Sequence, residues 1–188
     1  MIRFVSILMC LFLFAPATFA ETVKLKASST WTSDAPGEKI IGSAKGKAVL
    51  KMNGDDLSSL KGEIDIYVKT MRSGNDTRDK HLRSATWLDM EKYPKITFAI
   101  KSVNILEKGA KSNKVGVSGQ ISIHGVSKPL STTAKVVIIG NGGKRKMKIT
   151  TDFDVKLGDF NIQGKKGIVG KKVGKSIKVE TTLKGIII

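Results

Sequence analysis

Apolar and polar residues alternate along most of the chain after residue 20. In residues 62–70, Ile64, Ile66 and Val68 alternate with charged or polar neighbours. A period of two is typical of a β-strand that buries one face and exposes the other. Six further segments show this alternation or a strand-like apolar run: residues 46–52, 95–101, 115–123, 131–140, 146–157 and 176–184. The pattern therefore predicts a protein built from β-strands.

Turn-forming residues separate the predicted strands at close spacing. Three groups are typical of short hairpin connections: Asn53-Gly54-Asp55, Lys108-Gly109 and Asn141-Gly142-Gly143. Residues 34–37, with the sequence DAPG, predict a turn between the first strands. About eight strands joined in this way, without a long helical pattern, predict a single all-β antiparallel sandwich or barrel.

Residues 75–94 are the one segment that breaks the alternation. Asp76 or Thr77 is suited to cap a short helix, and Asp79 would lie in its first turn. Pro94 would end the segment and push Tyr93 into an extended conformation. Three apolar residues fall near one face of this helix: Leu82, Ala85 and Leu88. We expect a short helical insert that leads directly into a strand.

The first twenty residues predict a secretory signal peptide rather than part of the fold. Arg3 supplies a basic start, the apolar run extends from Phe4 to Phe14, and small residues follow Pro16 up to Ala20. The apolar run is too short to span a bilayer comfortably. We therefore expect residues 21–188 to form the mature domain, in the periplasm or, alternatively, outside the cell.

Composition narrows the kinds of partner. The single cysteine, Cys10, lies in the predicted signal peptide, so the mature domain has neither a disulfide nor a thiolate. The formal net charge is +17, and loss of Arg3 with the signal peptide leaves +16. This charge favours anionic partners, but lysines scattered along the chain also suit an ordinary solvated surface. Nucleic acid is not expected, because the basic residues are not interleaved with aromatic ones.

The chain offers little for catalysis or metal binding. His81 and His124 are the only histidines, and they lack the spacing of a metal-binding pair. A hydrolase that used Ser84 and His81 would lack the G-x-S-x-G turn. Three glycines have the spacing of a phosphate-binding loop without its strand–loop–helix context: Gly164, Gly167 and Gly170. We predict that the protein is not an enzyme and carries no metal.

The interior of a closed barrel of about eight strands is either filled with side chains or encloses one small apolar ligand. The inward positions are Ile, Val, Leu, Met and Phe, which suit either case. The alternation by itself leaves the two alternatives open.

Three motifs occur in order along the mature chain. The first combines R-D-x-H-L, W-L-D and K-Y-P-x-I-x-F: Arg78, Asp79, His81, Leu82, Trp87, Leu88, Asp89, Lys92, Tyr93, Pro94, Ile96 and Phe98. The second, V-x-G-x-I-x-I-x-G-V-S-K-P, covers residues 117–129. The third is D-F-x-I at residues 159–162, followed by V-G-x-x-I-x-V at residues 173–179. Together they resemble the YceI-like family of secreted polyisoprenoid-binding proteins.

This resemblance implies an extended, eight-stranded, antiparallel, lipocalin-like barrel with its short helical insert near the mouth. It implies that the interior holds a long-chain isoprenoid or similar amphiphile, such as a quinone, a prenyl phosphate or a fatty amide, for transport, storage or sequestration. The alternative is a basic surface-interaction protein that binds anionic envelope lipids or polymers and has a filled core. Either protein could act as a monomer or as a homodimer.

The resemblance also points to particular residues. Arg78, Asp79 and His81 are expected to form a polar network that holds the insert against the barrel. The wall or mouth of the ligand site is expected to include ten residues: Arg78, His81, Leu82, Trp87, Tyr93, Phe98, Ile121, Ile123, Phe153 and Phe160. A bound lipid is the only cofactor-like molecule expected, and an anionic membrane surface is the second expected partner.

Overall fold

The computed structural model describes residues 20–35, 38–142, 145–164, 169 and 171–188. The main elements follow in this order: β1 (Ala20–Ala35), β2 (Glu38–Asn53), β3 (Asp56–Arg72), α1 (Asp76–Arg83), β4 (Lys95–Lys108), β5 (Asn113–Ile123), β6 (Val126–Ile139), β7 (Lys146–Lys156), a 3-10 helix (Leu157–Phe160) and β8 (Ser176–Ile187). Apart from Ala20, where β1 begins, the predicted signal peptide lies outside the described residues.

The eight strands form one closed barrel. Each strand pairs antiparallel with the next along the chain, and β8 pairs with β1 over residues 177–187 and 23–33. The predicted eight-stranded antiparallel barrel with a short helical insert is confirmed. Among the described residues, no helix has the length and apolar character needed to cross a bilayer.

The alternation of side chains explains which residues enter the barrel. In β1, Val23, Leu25 and Ala27 are buried, whereas Lys24 and Lys26 between them are exposed. Buried and exposed residues alternate strictly from Val23 to Thr30 of this 16-residue strand. Because each residue's partner across the sheet points the same way, one inward set per strand assembles into a continuous interior.

The interior has two halves of different character. The filled half lies around the start of β1 and the end of β2, where long side chains are fully buried: Val23, Leu50, Met52, Met147 and Leu183. The open half lies around the end of β1 and the start of β2, where three small residues, Ser29, Ser33 and Ala44, point inward beside Trp31 and Ile40. Because the inward serine and alanine side chains are small, they leave space inside the barrel that the side chains of neighbouring strands do not fill.

The helix α1 connects β3 to a series of turns before β4. Asn75, with an extended backbone, caps it by accepting a hydrogen bond from the Arg78 N–H at 2.9 Å. The predicted caps, Asp76 and Thr77, were therefore wrong by one or two residues. Asparagine is as good a cap as aspartate, so composition alone did not separate the candidates. The helix ends at Arg83, which leaves Ala85 and Leu88 in the following turns.

Candidate ligand-binding cavity

A cavity of about 620 Å³ occupies the open half of the barrel. Its walls are mostly apolar and come from strands on all sides of the barrel, including Ile66, Ile96, Ile121, Phe153 and Val179. Binding sites for drug-sized molecules typically measure about 300–1,000 Å³ and are largely apolar. In the described structure, the barrel therefore encloses a space of the right size and chemistry for a small apolar ligand.

A smaller apolar space of about 90 Å³ adjoins this cavity on the side of the filled half. Five residues line both spaces: Ile66, Ile96, Ile121, Phe153 and Thr181. The smaller space continues along the barrel past Phe98, Val115 and Leu183. The two spaces are therefore neighbours along the barrel interior, separated by side chains that line both.

Small polar residues make room for the cavity without leaving their own polar atoms unpaired. The Ser29 hydroxyl lies 2.8 Å from the Thr181 hydroxyl in a buried hydrogen bond. The Ser33 hydroxyl accepts a hydrogen bond from the Gly174 N–H at 3.0 Å. Since a buried hydroxyl without a partner costs about 1–3 kcal/mol, these bonds allow small polar side chains on an otherwise apolar wall.

The mouth of the cavity is polar and carries more positive than negative side chains. Arg78, His81 and Lys172 line it together with Glu38 and Trp31. The Arg78 guanidinium donates to the Glu38 carboxylate at 2.9 Å, which ties α1 to the start of β2. Among the described residues, the buried Nε of Arg78 and Nε1 of Trp31 have no hydrogen-bond partner. Both nitrogens have almost no surface that water can reach, so they are not open to a ligand at the mouth in this arrangement.

A buried carboxylate holds α1 at the mouth. Asp79 is only 2 % exposed, and it accepts hydrogen bonds from both the N–H and the hydroxyl of Ser73, each at 2.7 Å. The Arg72 guanidinium approaches the same carboxylate at 4.0 Å. Arg83 adds a hydrogen bond to the Met71 carbonyl at 3.1 Å. The end of β3 and the helix α1 are therefore fixed to each other by several polar contacts.

The predicted network among Arg78, Asp79 and His81 is not formed in this arrangement, so that interpretation needs correction. Residues three apart share one face of a helix, whereas adjacent residues point in different directions. Arg78 and His81 accordingly both line the cavity, while Asp79 turns to Ser73. Arg78 still links the insert to the barrel, but its partner is Glu38.

Replacing Asp79 with alanine is expected to lower the free energy of unfolding by about 3 kcal/mol, because two hydrogen bonds to a buried charged acceptor are lost. The measurement is urea denaturation of the mature protein. Asp76→Ala is the matched control, since Asp76 is an exposed carboxylate in the same first turn. The control should lose less than about 1 kcal/mol. Equal losses in the two variants would contradict the anchoring role of Asp79.

The structure distributes the ten predicted ligand-site residues over three locations. Seven of them line the large cavity: Arg78, His81, Leu82, Trp87, Ile121, Ile123 and Phe153. Phe98 lines the smaller space. Tyr93 and Phe160 line neither of the two: the Tyr93 ring packs edge-on against His124 at 5.4 Å, and Phe160 is buried in the core. Contact of any of these residues with a ligand stays a prediction.

Several residues of the mouth were missed in the sequence because their partners are distant along the chain. Trp31 and Ser33 continue the inward register that starts at Val23 in β1, and this parity could have placed them inside. Glu38, the first residue of β2, shares the inward parity of Ile40 and Ala44, whereas Lys172 lacks such a signal because it lies in the segment before β8.

One of the three regularly spaced glycines has a packing role. Gly164 has a positive φ of 67°, and a Cβ there would lie 2.7 Å from a ring carbon of Trp87. The glycine lets the chain pass closely over the tryptophan that forms part of the cavity wall. Gly167 and Gly170 lie outside the described residues.

The comparison with protein families decides the ancestry of this barrel. The model of the YceI-like domain matches residues 20–184. The chain belongs to the YceI-like family. The resemblance noted from the three motifs is thereby confirmed.

Relatives and solved structures agree with this assignment. Protein YceI of Escherichia coli O157:H7 is 33 % identical over 123 residues, which are 64 % of this chain and 61 % of the relative. The YceI-like chain thus spans less than two thirds of the length of the curated relatives it matches.

Three solved structures share the fold. BcnA of Burkholderia cenocepacia has a TM-score of 0.69 at 18 % identity, with 85 % of this chain and 96 % of that one covered. The YceI protein of Campylobacter jejuni has a TM-score of 0.64 at 22 % identity, with 81 % and 88 % covered. A polyisoprenoid-binding domain from Saccharophagus degradans has a TM-score of 0.64 at 12 % identity, with 86 % and 96 % covered.

Proposed function

We propose that this YceI-like protein is a periplasmic binding protein that holds a long-chain isoprenoid or similar amphiphilic lipid inside its barrel, for transport, storage or sequestration. The observation that carries the proposal is the apolar cavity of about 620 Å³ in the open half, with its smaller apolar extension. The polyisoprenoid-binding domain from Saccharophagus degradans, with the same fold, supports it. The periplasmic location rests on the signal peptide predicted from residues 1–20.

The chemistry of the mouth gives the ligand an orientation. The hydrocarbon chain would lie along Ile121 and Phe153 towards the smaller space, and the headgroup would lie at the mouth. There, the guanidinium of Arg78 and the ammonium of Lys172 are donors. A headgroup rich in acceptors fits this set, and phosphate fits best because Arg and Lys are its usual partners.

The role proposed is binding without catalysis. The Ser84 hydroxyl donates to the main-chain carbonyl of His81 at 2.7 Å, instead of to the histidine ring. Ser84 is also absent from the residues that line the cavity. The described residues contain no group of three or more His, Cys, Asp or Glu placed to hold a metal ion. A hydrolytic use of Ser84 and His81 therefore gains no support from the geometry.

Native mass spectrometry of the mature protein, purified from the envelope, tests this function. We expect an adduct of several hundred daltons that organic solvent extracts and that fragments as a lipid. The apo protein should then bind a prenyl phosphate more tightly than the prenyl alcohol of equal length. A protein that stays free of adduct after incubation with quinones, fatty amides and prenyl phosphates would overturn the proposal.

A further inference from the structure

The register of the barrel gathers lysines that are scattered along the chain. On the outer surface, Lys148 of β7 lies opposite Lys184 of β8, Lys184 lies opposite Lys26 of β1, and Lys26 lies opposite Lys47 of β2. Neighbouring strands are about 4.8 Å apart, so this row of four cations spans about 14 Å. All four lysines are exposed, and none of them forms an ion pair within the described part of the chain.

A second row, two residues nearer the β2–β3 turn, alternates cations with exposed apolar side chains. Its order across the same four strands is Lys146, Ile186, Lys24 and Val49. Ile186 is 46 % exposed and Val49 is 48 % exposed. Beside Lys146, Ile139 of β6 is 60 % exposed. We call the two rows together the basic face: Lys24, Lys26, Lys47, Lys146, Lys148, Lys184, Val49 and Ile186.

Basic and acidic residues of these strands lie at different levels along the barrel axis. The acidic residues of β7 and β8, Asp152, Asp154 and Glu180, lie further towards the mouth, where Asp152 is opposite Glu180. At the β3 edge, Asp65 lies opposite Lys47 but is already hydrogen-bonded to Lys95 at 2.8 Å, which leaves the exposed Glu63, opposite Val49, as the other carboxylate there. The basic face therefore has few local anions to neutralise it.

This arrangement opposes stability in the isolated protein. Like charges directly opposite each other on neighbouring strands destabilise a sheet. The row has three such contacts in succession: Lys148 with Lys184, Lys184 with Lys26, and Lys26 with Lys47. An external anionic partner would relieve all three contacts together.

We propose that the basic face docks the barrel on an anionic phospholipid bilayer. The cations of the first row would contact headgroup phosphates, while Ile186 and Val49 would enter the boundary between headgroups and acyl chains. This second contact favours a bilayer over a soluble polyanion, which offers no apolar layer to exposed isoleucine and valine. The face lies on the outside of the filled half, on four of the eight strands, so docking leaves the mouth at the other half uncovered. This inference stands independently of what the cavity holds.

Co-sedimentation with vesicles tests the proposal. The mature protein is mixed with phosphatidylcholine vesicles that contain either no or one quarter phosphatidylglycerol. Each basic residue near an anionic surface contributes about a fivefold gain in affinity. The variant K26Q/K47Q/K148Q/K184Q should therefore bind the anionic vesicles at least about a hundredfold more weakly. Thermal denaturation checks its folding, which loss of like-charge contacts should not impair.

A control variant that loses the same charge distinguishes binding by the basic face from binding by net charge. Four exposed lysines outside the face are changed instead, in the variant K101Q/K114Q/K128Q/K156Q. This control should keep most of the vesicle affinity, because its lysines lie on other surfaces. A second variant, V49S/I186S, keeps the charge of the face and should lose part of the affinity, including most of the binding that remains at high salt.

Three outcomes would contradict the docking proposal or part of it. Equal losses in the face variant and its control would overturn the proposal, since net charge alone would then explain binding. No binding of the unmodified protein to anionic vesicles, together with face-dependent binding to heparin, would overturn it in favour of a polyanionic polymer. Unchanged affinity of V49S/I186S would overturn the bilayer contact. Lipid loading in the cavity, measured on the same variants by native mass spectrometry, should stay unchanged, which keeps this test separate from that of the proposed function.

Discussion

Replacing Ala44 with phenylalanine is expected to exclude the lipid from the barrel. Ala44 is 1 % exposed, points inward from β2 and lines the large cavity. A ring at this position would project into the cavity that we assign to the ligand chain. We expect the amount of bound lipid to fall by at least about tenfold, which corresponds to a loss of ~1.4 kcal/mol of binding free energy. Native mass spectrometry of the purified variant measures it.

The fold should tolerate this change, because the added ring enters an existing void instead of a packed core. Ser43→Phe is the matched control: Ser43 is the preceding residue of β2 and is exposed on the outer surface. It adds the same ring to the same strand but leaves the cavity unchanged. Full lipid loading in folded Ala44→Phe protein would show that the ligand does not occupy the open half.

The strands β2 to β8 were predictable because their signal is local, whereas no alternating segment was assigned to β1. Each inward set repeats every second residue, and the turn residues that end the strands lie beside them in the sequence. The hairpin at Asn53-Gly54-Asp55 illustrates this, since Gly54 has the positive φ of 53° that such turns favour. Closure of the sheet was a weaker inference. Alternation alone fits a sandwich as well as a barrel, and the resemblance to the YceI-like family decided between them.

The cavity could not be located from alternation because its cause is distributed over distant residues. Ser29 and Ala44 lie outside the segments assigned from alternation, and alternation does not tell which residues face them across the barrel. Only the register shows that small residues of β1 and β2 share one half, while Leu50 and Met52 fill the other. The ion pair between Arg78 and Glu38 bridges 40 residues of sequence and was equally hidden.

The lysines show the same limit from the outside of the barrel. Along the chain, Lys26, Lys47, Lys148 and Lys184 are separated by other segments, which favoured the interpretation of a scattered, solvated charge. In the sheet they are consecutive neighbours. Sequence alternation fixes only which face of the sheet a lysine occupies. The strand register then decides whether lysines from distant segments become neighbours in a patch.

Replacing Gly185 with alanine is expected to destabilise the barrel strongly, although the change adds only one methyl group. Gly185 lies opposite Leu25 where β8 meets β1, the pairing that closes the sheet. A Cβ at this position would lie 1.9 Å from the Lys24 carbonyl oxygen and 2.9 Å from the Leu25 Cα. Both obstacles are main-chain atoms, so no side-chain rotation can relieve the clash.

The two strands would have to separate locally, at a cost of about 3 kcal/mol or more. For a domain of this size, the thermal midpoint should then fall by roughly 10 °C. Differential scanning calorimetry measures it. Gly116→Ala in β5 is the control, because its nearest neighbours are Leu106 side-chain carbons at 3.7 and 3.8 Å, an ordinary contact. That variant should stay within about 0.5 kcal/mol of the unmodified protein.

Separation of β1 from β8 should have a second consequence, which distinguishes it from a general loss of packing. In the closed barrel every strand has a paired neighbour on each side, whereas separation of β1 from β8 creates two free edges. Gly185→Ala protein should therefore self-associate on mild heating, as detected by light scattering, before its strands unfold. The Asp79→Ala variant, destabilised to a similar degree at α1, leaves β1 and β8 paired and should remain monodisperse to its unfolding transition. Similar scattering from the two variants would contradict the role of Gly185 in closing the barrel.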